Sequence, residues 1–98
     1  MRAARTDRNH ADIVSILRQC GCRVQSLAAV GHGVPDLLVW IPRHRRLLLI
    51  EVKDGSKRPS ERRLTDEQMR WHADWQGAVH VITDVSQVLE LIGAKETA

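Results

Sequence analysis

GVPDLLVWIPRHRRLLLIEVKD, residues 33–54, decides how this 98-residue chain is read. A Pro-Asp pair leads into an apolar run, a basic turn, a second apolar run and then Glu51-Val52-Lys53. Two short apolar runs divided by Pro42 and arginines read as the strands of a hairpin turning around residues 43–45. Strand side chains alternate between faces, so Glu51 and Lys53 point one way and Val52 the other. The unbroken run 47–50 reads as a central strand covered on both faces. Charges near the end of such a strand carry a desolvation cost unless they meet a partner, a metal or a cleft.

An ion pair between Glu51 and Lys53 near the surface would meet that cost, but it leaves Asp36 without a role. Asp36 taken alone is a turn residue, since Pro-Asp is a common turn dipeptide. With the hairpin in place, the start of its first strand faces the end of its second, and Asp36 and Glu51 meet at one end of the sheet. Two carboxylates there repel unless a divalent cation lies between them. Carboxylates, a main-chain carbonyl and water are hard oxygen donors that suit Mg²⁺ or Mn²⁺. Lys53 beside them can orient or help deprotonate an attacking water while the metal stabilises charge on a phosphate oxygen. That is the chemistry of phosphodiester hydrolysis.

The flanking sequence supplies the other elements. Thr6 and Asp7 are candidate caps for a first helix, with Ile13, Ile16, Leu17 and Cys20 at helical spacing and Gly21 as the stop. Residues 23–30 form a first strand ended by Gly31-His32-Gly33, residues 37–40 a second and residues 47–53 a third. Residues 54–63, rich in Gly, Ser, Pro and charge, form a loop. Thr65 and Gln68 make a T-x-x-Q capping pattern for a second helix reaching to about Gln76, before Gly77. A fourth strand over 79–83 and a last helix, capped by Asp84 or Ser86 and ending before Gly93, complete the order αβββαβα. Trp71 and Trp75, four apart on the second helix, suit a core or dimer contact.

Length and composition bound the reading. Residues 1–98 make a single domain, and so small a core leaves room for stabilisation by oligomerisation. The chain is 43% hydrophobic and 28% charged, as a folded protein is, and its apolar runs fall far short of a membrane span of roughly 20 residues. The N-terminus is polar and basic, without the apolar segment of a secretory signal, so a cytoplasmic location is expected. Cys20 and Cys22 flank a single glycine, which suits free thiols rather than a disulfide or a zinc site. Net charge is +3 overall, yet residues 42–63 carry eight basic against three acidic side chains. That concentration suits either a solvated loop or a polyanion such as nucleic acid.

The motifs also carry a family resemblance. Pro35-Asp36 followed by Glu51-Val52-Lys53 resembles the PD-(D/E)xK nuclease signature, whose core has the αβββαβ order. GVPDLL at 33–38, IEVK at 50–53 and LTDEQ at 64–68 resemble the VRR-NUC group in its short stand-alone phage or prophage form. The resemblance covers nearly the whole chain. It implies an α/β, restriction-endonuclease-like fold: a mixed central sheet flanked by helices, plus a C-terminal helix.

The activity it implies is that of a Mg²⁺- or Mn²⁺-dependent DNA endonuclease leaving a 5′-phosphate, acting on duplex or branched DNA such as a four-way junction. Asp36 and Glu51 become the metal ligands with the Val52 carbonyl. Lys53 becomes the catalytic lysine, and Gln68 lies near it or near the phosphate. Gln68 reads equally as the capping partner of Thr65. Stand-alone members resemble Holliday-junction resolvases in forming homodimers, and a phage or prophage origin implies a bacterial host cell.

Relatives carry a Glu or Gln on helix one that faces the metal. Aligning Asn9 with the family's usual Asn places His10 there, which implies a water-mediated ligand or base, or a site lacking that ligand. The replacement also leaves open a rival class, a non-catalytic DNA-binding module that keeps the fold. Lys57, Arg58, Arg62 and Arg63 are the candidate phosphate contacts, with His32 in its glycine-flanked loop as a further substrate contact.

Overall fold

The computed structural model describes residues 8–93. Its elements are α1 (Arg8–Gln19), β1 (Arg23–Ser26), β2 (Leu37–Ile41), β3 (Arg46–Val52), a 3₁₀ turn at Pro59–Glu61, α2 (Asp66–Asp74), β4 (Val79–Ile82) and α3 (Val85–Leu91). The four strands form one sheet in the order β1-β2-β3-β4. β1 to β3 are antiparallel neighbours, and β4 joins β3 in parallel. A parallel pair requires a crossover, and α2 provides it. This is the expected α/β architecture. The caps expected at Thr6 and Asp7 lie outside the described residues.

One face of the sheet carries the core. Leu37, Val39 and Ile41 of β2 and Leu48 and Ile50 of β3 are buried there, together with Ile13 and Leu17 of α1 and Val88 of α3. Ile13 and Leu17 stand four apart, so a single stripe of α1 faces the sheet. The other face is different. Leu38, Trp40, Leu49 and Val79 are only half-buried, Leu47 is 62% exposed and Val81 is 41% exposed. The coverage of β3 on both faces expected from its apolar run is therefore corrected. β3 is central by hydrogen bonding, but its second face is closed only at the Glu51 end, where Gln68 of α2 reaches the strand. The tryptophans on α2 depart from a core role in the same way. Trp71 and Trp75 stack with centroids 4.6 Å apart, but Trp75 remains 54% exposed.

Most boundaries fall within a residue or two of expectation; β1 is the exception. It ends at Ser26 rather than continuing to Val30, because the chain folds back on itself. The Leu27 N–H donates to the Asp36 carbonyl at 2.7 Å, and the Val30 N–H to the Leu27 carbonyl at 3.0 Å. His32, with φ of 57°, sits in the left-handed region between two glycines that share it. The resulting loop delivers Pro35 and Asp36 to the start of β2.

Two contacts hold the ends of the strands in place. Asn9 on α1 donates from Nδ2 to the Lys53 carbonyl at 2.7 Å and to the Thr83 carbonyl at 3.1 Å, clamping the chain just beyond β3 and β4. Gly33 presses the loop before Asp36 against α2. With φ of +85°, any Cβ at this position would run into the Glu67 carbonyl oxygen. Gly33→Ala therefore combines left-handed backbone strain with a steric conflict. It is expected to cost roughly 2–5 kcal/mol in urea unfolding; a loss below about 0.5 kcal/mol would mean that the loop is not seated on α2.

Candidate active site

The β2–β3 register sets the site. Leu37 pairs with Ile50, so the next step outward puts Asp36 opposite Glu51. Asp36 leaves the ladder there but still replaces one of its bonds: its Oδ2 accepts from the Val52 N–H at 2.8 Å. The N–H and C=O of one strand residue project to the same side. The Val52 carbonyl therefore also faces the side on which Asp36 lies.

Glu51 is buried, 2% exposed, on the sheet face opposite the core. Its Oε2 accepts from Gln68 Nε2 at 2.9 Å, while its Oε1 is buried without a hydrogen-bond partner. Lys53, on the same side of β3, has Nζ 3.7 Å from Glu51 Oε2 and donates to Gln68 Oε1 at 2.9 Å. Gln68 Oε1 also accepts from the Thr65 N–H at 2.9 Å, and the Gln68 N–H donates back to Thr65 Oγ1. Gln68 thus closes the capping box of α2 and bridges Glu51 to Lys53 in the same conformation. The two roles read from the sequence are one arrangement.

Burial drives the Glu51 carboxyl up to about 7. The negative charge of Asp36 adds to the rise, and Lys53 offsets part of it. A divalent cation between the two acids would relieve the same repulsion. The donors fit such an ion: two opposed carboxylates, one with a buried and unpartnered oxygen, beside a main-chain carbonyl, are all hard oxygen ligands. Among the described residues, no three His, Cys, Asp or Glu side chains gather as a ready-made metal cluster. His10 lines a groove between α1 and the sheet with Val14, Ser26 and Leu37.

The other expected residues flank this centre. Lys57, Arg58 and Arg63 are exposed and Arg62 is half-buried, on the loop that leaves the strand end bearing Lys53. Arg58 pairs with Glu61 at 2.9 Å, so part of its charge is locally met. His32 is exposed, with Nδ1 3.9 Å from Glu67. Sequence reasoning missed Asn9 and Gly33 as supports of the site. A glycine immediately before the motif was a visible signal for one; nothing marks the two carbonyls that Asn9 holds.

A family model described as the VRR-NUC domain matches residues 3–85. The chain is also similar to a solved structure described as "VRR_NUC domain". The identity is 30% and the TM-score 0.62, over 88% of this chain and 91% of that one. No curated protein matches the chain.

The raised Glu51 carboxyl has a consequence for stability. The folded state holds this proton more tightly than the unfolded chain, so the contribution is fully present below the ordinary value of 4.5 and is lost as pH rises through about 7. His72 and His80, both held below their ordinary value chiefly by burial, act in the opposite sense. The contrast between wild type and Glu51→Gln isolates the carboxyl. In EDTA, Glu51→Gln is expected to exceed wild type in unfolding free energy by roughly 3 kcal/mol at pH 8 relative to pH 4.5. A difference that does not vary with pH would contradict the assigned burial and Asp36 contact.

Proposed function

The chain belongs to the VRR-NUC domain family, a nuclease family that processes DNA, and from that premise we propose that it is a divalent-metal-dependent endodeoxyribonuclease. The observation that carries the reading is the pairing of Asp36 with a deeply buried Glu51, one oxygen of which has no partner, beside Lys53. Asp36, Glu51 and the Val52 carbonyl would hold Mg²⁺ or Mn²⁺. When bound, the ion supplies Lewis-acid stabilisation of charge on the scissile phosphate.

The chain's own groups provide the rest. Gln68 holds the Lys53 ammonium beside the carboxylates, where it can hydrogen-bond an attacking water and a phosphate oxygen. The water oxygen attacks phosphorus as the P–O3′ bond breaks, leaving a 5′-phosphate and a 3′-hydroxyl. Lys57, Arg62 and Arg63, with Arg58 where Glu61 releases it, track the flanking backbone by charge and so contribute affinity without sequence preference.

The proposed assembly is a homodimer. The partly uncovered sheet face, with Leu47 and Val81 exposed beside Leu38, Trp40 and Leu49, offers an apolar surface to a second copy. A pair of sites related by two-fold symmetry suits both strands of a duplex, or a branched junction.

Incubating supercoiled, linear duplex and four-way-junction DNA with Mg²⁺ or Mn²⁺ tests the reaction. Wild type is expected to nick in a metal-dependent manner, and Lys53→Ala to lose at least roughly 100-fold in rate while still binding DNA. Binding without cleavage by wild type would return the protein to the non-catalytic class. Sedimentation tests the assembly separately: wild type should run as a dimer and Leu47→Glu as a folded monomer. A monomeric wild type at micromolar concentration would refute the pairing.

A further inference from the structure

His72 has no place in the chemistry so far, yet it lies beside it. It stands four residues after Gln68 on α2, and residues four apart share a helix face. That face looks onto Lys53 and Glu51, because Gln68 contacts both. Nε2 of His72 is buried, and among the described residues it has no hydrogen-bond partner. A polar atom withdrawn from water without a partner is destabilising, so its retention calls for a physical reason.

Lys53 has the complementary deficit. An ammonium group carries three N–H donors. Among the described residues, Nζ of Lys53 meets one hydrogen-bond acceptor, Gln68 Oε1 at 2.9 Å, with Glu51 Oε2 further off at 3.7 Å. Burial, and then the positive charge of Lys53, hold the His72 imidazole below its ordinary value. The ring is therefore neutral near pH 7 and keeps one nitrogen lone pair available.

We propose that His72 is a positioning residue for Lys53: its Nε2, without a hydrogen bond to Nζ in this structure, accepts one ammonium proton when Lys53 turns away from Glu51 and, with Gln68, holds Nζ against the Asp36–Glu51 edge of the site. The inference rests on the reading of Lys53 as the catalytic lysine. It also gives the second acceptor a purpose. Any cation bound by Glu51 competes with Lys53 for the same carboxylate, and an acceptor on α2 keeps the ammonium in place while that contact loosens. A leucine of similar volume could fill the space, but it could not accept the proton.

The test separates this inference from the nuclease reading. In wild-type protein, ¹⁵N-detected imidazole spectra are expected to show the His72 proton on Nδ1 and an unprotonated Nε2 whose resonance moves in Lys53→Met. A proton on Nε2, or a resonance indifferent to Lys53, overturns the contact whether or not the protein cuts DNA. In cleavage assays, His72→Leu should lower kcat by roughly 10- to 100-fold with KM for DNA and Tm close to wild type. His72→Gln, which places a carbonyl acceptor at similar reach, should recover most of that loss. Equal losses in the two variants, or wild-type kcat in His72→Leu, overturn the positioning role. A wild type that shows the expected imidazole spectrum and cuts nothing sinks the nuclease reading and upholds the contact.

Discussion

Two carboxylates forced together at the open end of a hairpin are the constraint around which this protein is built. The β2–β3 register puts Asp36 opposite Glu51, and the buried position of Glu51 removes the water that would otherwise screen them. The repulsion is met by the raised proton affinity of Glu51, by the Val52 amide on Asp36, and by Gln68 and Lys53 on Glu51. The Val52 amide and Lys53 come from the end of β3 and the residue just beyond it, and Gln68 comes from α2. The site is therefore the meeting point of the β2–β3 hairpin and α2.

α2 shows this most clearly. It contributes no buried residue to the core, and in its Trp71–Trp75 stack Trp75 stays 54% exposed. What ties it to the sheet is polar: the Gln68 bridge, and the close approach of Gly33 to the Glu67 carbonyl. A helix held by hydrogen bonds to Glu51 and Lys53 is sensitive to the state of those groups. Rearrangement at Glu51 is felt at the start of α2 because a single glutamine both caps the helix and bridges the acid to the lysine.

The sheet is asymmetric in the same sense. Its α1–α3 face is a packed core, whereas the other is closed at the acidic end and open towards Leu47. That division places Glu51 and the uncovered apolar surface on one side of the sheet, and leaves the stabilising burial on the other.

The sequence by itself determined the element order, the hairpin and the convergence of Asp36 with Glu51, because alternation and a short basic turn leave a single register in which the apolar runs face one core. It also marked Gln68, whose capping pattern is local. Only the tertiary structure decided what lies far apart in the chain. Asn9 clamps Lys53 and Thr83, Gly33 seats on α2, β1 stops at Ser26, and the second face of β3 stays partly open. Local propensity carries no information about which distant backbone carbonyl a side chain will meet, or which face of an apolar strand will lack a covering helix. Those outcomes depend on how the layers pack, and they turn a hairpin bearing two acids into a site.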